Sequence, residues 1–454
     1  MKIAIIGAAG VRTPLLIHGL AGASRELRIN ELAFWDTDSE RLSSMGRVSE
    51  AIAKRSGLSA KLSVCSNPEQ AVAQADYVIT SIRAGGIEAR VKDETIALAH
   101  GLVGQETVGA GGFACAMRNL SVMLEYARVI ERVAPRANVI NFTNPVGIIS
   151  QGLLNHSAVN IVGVCDTPLE TFESIATALG KNPFELDFDY LGLNHLGWVR
   201  SVRDRSGTDL LPQILSSPDL IQKCYRHGLF PPDFIQRLGL LPTEYLYFYY
   251  FPDVAYGNTK RSGQSRGQAI AAMNKELFQK LAQAPETKLI DIYENYLRER
   301  NASYFSIEVT AGEVHKKGQA LYSEFSGYER IATLVLQALQ SQAPRPIPLT
   351  VRNNQALEDL EPDDAVELPC DVSSAAIKPR RVGRAPKKVR DLLLQVKEYE
   401  RLTVAAAVNH SSDYALSALL KNPLVGKREV ACKVLADYVA AFGDQMRLQG
   451  ARAS

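Results

Sequence analysis

Three features of the chain predict an α/β fold. Short apolar runs alternate with helical segments through the first half, a glycine turn closes the first run, and an acidic residue stands at the tip of the second. Together they describe a doubly wound, Rossmann-like parallel sheet, with a mixed α+β C-terminal half that begins where the alternation breaks down after Trp198.

The first run is Lys2 to Ile6. It is followed by Gly7-Ala8-Ala9-Gly10 and by a helical pattern starting near Pro14 with Leu15, Leu16, Ile17 and Leu20. Small residues in such a turn let the backbone approach a pyrophosphate, which a helix N-terminus then stabilises. A complete G-x-G-x-x-G is not spelled out, so the turn is a weak signal alone. Asp36, closing Glu31-Leu-Ala-Phe-Trp35, strengthens it, because a carboxylate at that tip accepts bonds from ribose hydroxyls and disfavours a 2′-phosphate. NAD is therefore the expected dinucleotide.

Further strands are predicted at Leu62–Cys65, Asp76–Thr80, Asn138–Phe142 and Ile161–Val164, with helices around 67–75 and 117–133. Ligands of such a sheet sit beyond the carboxyl ends of its strands. Those ends read Ser81-Ile-Arg83-Ala-Gly-Gly86, Thr143-Asn144-Pro145 and Cys165-Asp166, and one crevice is expected to gather all three. Between them, Arg90 and the glycine-rich loop from Gly104 through Glu106 to Gly112 have the composition of a substrate-binding segment. Cys165 and His195 form a candidate two-point metal grip, since thiolate and imidazole both suit a borderline divalent ion and leave coordination positions open. The residues alone favour the plainer reading, a small buried thiol and a hydrogen-bonded core histidine, because the thirty-residue separation is not a tight ligand spacing.

Composition narrows the classes. The 454 residues, 46% hydrophobic and 22% charged, suffice for a large core and two closely packed domains. A formal charge of +2 from 51 basic and 49 acidic residues gives no overall field for nucleic acid or membrane. No apolar run approaches the ~20 residues of a membrane span. Six scattered cysteines, and an N-terminus that reads as a buried strand, point to a reducing, cytoplasmic setting.

In the second half, Thr243-Glu-Tyr245-Leu-Tyr-Phe-Tyr-Tyr250 is dense in aromatics, which more often pack than react, and its pattern singles out no one tyrosine. Asn258 to Gly267, with Arg266, reads as a small basic, hydroxyl-rich loop suited to a phosphate or sulfonate. Gln342 to Pro348 reads as a proline-rich surface connection. The basic stretch Lys378–Arg390 lacks aromatics and follows acidic residues, so nucleic acid is not the expected partner. Helices over 388–407 and 428–447 close the chain with core or oligomer faces.

GLVGQETVGAGG, NFTNPVG, VGVCDTP, GLNHLGW and LPTEYLYFYY, in this order, resemble glycoside hydrolase family 4, NAD- and metal-dependent glycosidases whose best-known members act on 6-phospho-glucosides. The first loop departs, being commonly Gly-Gly-Gly-Ser in the family. Asp166 matches phospho-α-glucosidases, where many phospho-β-glucosidases have Asn, so both anomers stay open. The resemblance implies a division into a NAD-binding domain, 1–195, and a domain for substrate, catalysis and oligomerisation, 196–454. It implies NAD at Gly7, Ala8, Ala9, Gly10, Asp36 and Arg83, and a divalent metal, Mn, at Cys165 and His195. Arg90, Asn144 and Arg266 match substrate contacts, Tyr245 the base, Asp166 the acid, and Glu106 the glutamate that raises the tyrosine's basicity. The implied reaction is hydrolysis of 6-phospho-β-glucosides by oxidation at C3, deprotonation at C2 and elimination, in a homodimer or homotetramer. A 6-phospho-α-glucoside or a 6-sulfo-sugar would fit the same mechanism. From the first domain alone, a malate- or lactate-type dehydrogenase is the rival.

Overall fold

A computed structural model describes residues 1–312 and 321–448. Five apolar stretches fold as the pattern predicts: β1 (Lys2–Ile6), β2 (Glu31–Trp35), β4 (Tyr77–Thr80), β5 (Asn138–Asn141) and β6 (Asn160–Gly163), with β3 (Lys61–Val64) on the outer edge. All six run parallel in the order β3-β2-β1-β4-β5-β6. The inner strands bury Ile3, Ile5, Val78, Ile79, Val139, Ile140 and Val162 among the covering helices.

The sheet does not end at β6. Beyond it come β10 (Arg345–Arg352) and β11 (Ala365–Val372), then β7 (Asp187–Leu193), β8 (Leu196–Arg203) and β9 (Leu241–Pro242), all antiparallel, while β12 (Ile377–Pro379) pairs with β11. A hairpin from late in the chain thus stands between two strands that follow one another in sequence. C-terminal helices return in the same way: Lys387–Asn409 packs on Gly109–Val133 and Val146–His156, and Tyr328–Gln340 packs on Thr13–Leu27. No described helix is long and apolar enough to cross a membrane.

Three expectations are corrected. Gly109–Gly112 is not loop but the first turn of the Gly109–Val133 helix, which begins eight residues before the predicted start at 117. Its glycines are there for space: a Cβ at Gly111 would lie 2.3 Å from the Gln105 carbonyl oxygen, and one at Gly112 would lie 2.4 Å from the Thr107 carbonyl carbon. The segment Gln342–Pro348 is no surface link, since Arg345–Pro348 opens β10. Its prolines fit because this end of β10 pairs with β11 through Pro346↔Asp371 and Pro348↔Pro369, whereas β6 meets β10 only at Thr350↔Gly163. The basic, hydroxyl-rich stretch 258–267 is mostly helical, with Asn258 to Ser262 in the helix Pro252–Ser262 and Arg266 opening the helix Arg266–Gln283. Further on, Arg380, Arg384 and Arg390 of the late basic run are paired with Asp371, Glu358 and Asp359.

The helix Gly86–Ala99, which carries Arg90, is clamped by a buried ion pair. Arg118 donates two bonds to Asp93, at 2.8 and 2.6 Å, with its guanidinium carbon 3.9 Å from the Phe442 ring centroid and the Tyr438 hydroxyl bonded to the Asp93 carbonyl. Burial pushes the Asp93 carboxyl up to about 6 even with Arg118 opposing the shift. Arg118→Met should therefore cost about 3–5 kcal/mol by stranding a buried carboxylate. Adding Asp93→Asn should recover part of that loss, as read from denaturant unfolding midpoints of the two variants.

Candidate active site

The carboxyl ends of β1, β2, β4, β5 and β6 open into a cleft of about 870 Å³. Of the residues expected to form a site, Gly7, Ala9, Gly10, Asp36, Arg83, Arg90, Glu106, Asn144, Cys165, Asp166, His195, Tyr245 and Arg266 all line it; Ala8 lies buried beneath the turn.

At one end the glycine turn is folded tightly on its neighbours. Gly7 has φ +93°, and a Cβ there would stand 2.3 Å from the Ser81 carbonyl oxygen. The amides of Gly7 and Ala8 donate to the Trp35 carbonyl, that of Gly10 to Gly7, and that of Ala9 to the Asp36 carboxylate at 3.0 Å. What the turn presents to the cleft is therefore the bare surface of Gly7, Ala9 and Gly10 beside an Asp36 carboxylate held at the tip of β2. A close backbone approach with an adjacent carboxylate is the shape a dinucleotide's pyrophosphate and ribose require, so these residues fit NAD.

Cys165 follows β6, and His195 sits in the β7–β8 turn with a left-handed backbone, φ +61°. Such a conformation is uncommon for a residue with a side chain and persists only where the surroundings impose it. It brings His195 Nε2 to 3.6 Å from Cys165 Sγ. Bonds of roughly 2.3 Å to sulfur and 2.0–2.1 Å to nitrogen, meeting near the tetrahedral angle, span about 3.6 Å, so the pair fits one borderline cation. Burial lowers the His195 pKa to about 4, which keeps the ring neutral, and burial with the nearby Asp166 holds the Cys165 thiol well above its ordinary range. Among the described residues no group of three or more His, Cys, Asp or Glu could hold a metal ion, and a cation on Cys165 and His195 would keep further positions open.

Tyr245 lies flat on His195, ring centroids 3.8 Å apart and planes 7° from parallel, and its hydroxyl accepts a bond from Tyr304 at 3.2 Å. Burial, with the charge of Glu106, pushes its pKa up. Glu106 is held between Arg83 and, at 3.0 Å, Arg90. Burial would raise its pKa, but Arg83, Arg90 and Arg300 outweigh that and bring it to about 2. Arg90 also donates to Glu94 at 2.8 Å, and Glu94 accepts the Gly267 amide, which ties this cluster to the helix that Arg266 opens. Arg266 bonds to Ser303 Oγ at 2.7 Å and to the Arg300 carbonyl at 3.0 Å. Burial lowers its pKa to about 10; Glu308 opposes this, while Arg300 and Arg90 add to it. Three guanidinium groups thus share one wall, a natural seat for an anion.

Sequence reasoning missed several lining residues. Arg300 closes a helix with no local motif, and Glu308, whose Oε2 is buried without a partner, follows an irregular turn. Arg12 stands just past the recognised glycine turn and pairs with Asp166 at 3.1 Å. Glu170, one helical turn beyond Asp166, has its carboxyl pushed up to about 8 by burial and by Asp166. Only Arg12 and Glu170 had a signal to follow, adjacency to residues already singled out.

Comparison with known proteins covers the chain almost end to end. Its sequence is 28% identical over 449 residues to the 6-phospho-beta-glucosidase BglT of Thermotoga maritima, covering 99% of this chain and 100% of that one. The solved 6-phospho-beta glucosidase from Thermotoga maritima with manganese, NAD+ and glucose-6-phosphate superposes with a TM-score of 0.82 at 28% identity, covering 99% and 100% of the two chains. A 6-phospho-alpha-glucosidase from gut microorganisms, in complex with NAD and glucose-6-phosphate, superposes at 0.80 with 26% identity, covering 97% of each. Residues 2–181 match the model for the family 4 glycosyl hydrolases and residues 190–425 match the model for that family's C-terminal domain, so the chain belongs to the family 4 glycosyl hydrolases.

Proposed function

We propose that this protein hydrolyses 6-phospho-glucosides, with the β-linked substrate as the primary assignment, using NAD and a divalent cation, manganese, held by Cys165 and His195. The observation that supports this best is the set of groups gathered in one cleft: Asp36 and the glycine turn, the Cys165–His195 pair with Tyr245 stacked upon it, and the guanidinium groups of Arg90, Arg266 and Arg300. Residues 1–195 would seat the dinucleotide, and 196–454 supply most of the substrate wall.

When bound, NAD supplies a reversible hydride acceptor, and the cation supplies a Lewis acid whose charge offsets the burial that holds the Tyr245 proton. The side chains divide the remaining work. Arg266 and Arg300 bind the 6-phosphate and so fix the sugar ring along the cleft, with Asn144 and Arg90 orienting its hydroxyls. Tyr245, once ionised to the phenolate, takes the proton from C2 of the sugar onto its oxygen, with Tyr304 donating to that oxygen and Glu106 raising its basicity. Asp166 in its protonated form would pass that proton to the departing glycosidic oxygen and be left as the carboxylate that pairs with Arg12. Glu170 stands one helical turn away, and burial together with the nearby Asp166 favours its protonated form. A second reading, the α-linked substrate, is favoured by one feature: Asp166, matching the α-type enzymes, is held by Arg12. A panel of α- and β-nitrophenyl glucosides, each with and without a 6-phosphate, decides between the two.

Turnover should require both NAD⁺ and a divalent ion, and in heavy water the product should carry deuterium at C2. Dialysis against chelator with metal add-back, followed by NMR of the product, checks both, and unlabelled C2 would rule out elimination. Tyr245→Phe keeps the stack on His195 but removes the proton acceptor, so kcat should fall by roughly 10²–10⁴-fold while NAD binding survives. Arg266→Ala should lower kcat/KM for the phosphorylated substrate by about 10–150-fold more than for its unphosphorylated counterpart, the loss of a desolvated charged hydrogen bond worth about 1.5–3 kcal/mol.

A further inference from the structure

Four residues form a row straight across the sheet: Gly163 of β6 pairs with Thr350 of β10, Thr350 with Glu367 of β11, and Glu367 with Gly192 of β7. Each end of the row lies beside a metal-ligand candidate, since Cys165 is two residues beyond Gly163 and His195 three beyond Gly192. The pairings with β6 and β7 are single register pairs, so the hydrogen-bonded ladder that aligns these strands is short.

Side chains supply what the backbone lacks. The Glu367 carboxylate is 2% exposed. Its Oε2 accepts the Tyr190 hydroxyl at 2.7 Å, while its Oε1 accepts Asn194 Nδ2 at 3.1 Å and the Thr350 hydroxyl at 3.5 Å. Tyr190 lies in β7 just before the turn that holds His195, and Asn194 is the other residue of that turn. Glycines clear the space: a Cβ at Gly197 would meet the Tyr190 hydroxyl at 1.9 Å, and one at Gly163 would meet Thr350 Cβ at 2.9 Å. Nothing in this arrangement touches the cleft, and Glu367 is absent from its lining.

We infer that Glu367 is a positioning residue for the metal grip, setting the Cys165–His195 separation from behind by anchoring Asn194 and Tyr190 of the His195 hairpin to β11 and, through Thr350, to β10 beside β6. The inference rests on the reading that Cys165 and His195 hold a divalent cation. Removing the carboxylate strands two donors in the hairpin and frees the turn to shift His195, and loss of such a supporting bond typically weakens metal binding 10–100-fold.

The test is titration of the full-length protein with Co²⁺, reading the cysteine thiolate-to-cobalt charge-transfer absorption, alongside NAD affinity and thermal midpoint. Wild type should develop the band. Glu367→Leu and Asn194→Ala should each weaken Co²⁺ binding about 10–100-fold, and the double variant should lose no more than the weaker-binding single, because the two act in one chain of contacts. Glu367→Gln, which keeps one acceptor, should fall between wild type and Glu367→Leu. NAD affinity should stay within about twofold throughout. If Glu367→Leu does not fold, Asn194→Ala and Glu367→Gln make the same comparison. Unchanged Co²⁺ affinity in the variants, additive losses, or NAD affinity falling in parallel would overturn the positioning role. A wild-type protein without the thiolate band would overturn the metal grip itself, a separate failure.

Discussion

The 3.6 Å between Cys165 and His195 depends on a hairpin drawn from residues 345–372. Without it, β6 would be an exposed edge and β7 would have no strand on its side away from β8. Inserting β10 and β11 turns a parallel, dinucleotide-type sheet into one continuous mixed sheet and brings the β7–β8 turn to the carboxyl end of its former edge. The left-handed backbone at His195 belongs to the same constraint, because a strained residue holds its geometry only when packing on several sides leaves no alternative.

Charge is distributed along the cleft with similar economy. Glu106 is neutralised by Arg83 and Arg90, which leaves the guanidinium groups of Arg266 and Arg300 without an ion-paired carboxylate among the described residues. Beside Asp166 the balance reverses, with Glu170 and Glu244 sharing Arg226 at 3.8 and 3.7 Å. A ligand carrying an anion at one end and a neutral leaving group at the other would be oriented by this polarity before any contact at its reacting carbons.

Much of the first half was legible because its signals are local. A five-residue apolar run, a small-residue turn and an acid at a strand tip each report on neighbours in sequence, and β1, β2 and Asp36 lie where those signals put them. The strand ends at Arg83, Asn144 and Cys165 converge because parallel topology forces them to. What could not be read depends on packing between distant segments. The glycines at 111 and 112 look like loop residues until the Gln105 and Thr107 backbones are found against them. The prolines of β10 look like a linker until the strand is seen to be paired on one side there. Arg300 and Glu308 carry no motif, and only the folded chain turns them into the cleft.

The late hairpin also sets an order of assembly. Strands β1 to β6 are complete once the chain has been made to Gly163, but the strands that seat His195 beside Cys165 arrive only with residues 345–372. At synthesis rates of about 5–20 residues per second, roughly ten to thirty seconds separate the emergence of the β7–β8 hairpin from that of its neighbour. During that interval the nascent chain holds a nearly finished parallel sheet whose open edge at β6 has no native partner. The chain can therefore complete its parallel half well before His195 is seated beside Cys165, and the open β6 edge is where a growing polypeptide of this fold most needs protection from pairing with another chain.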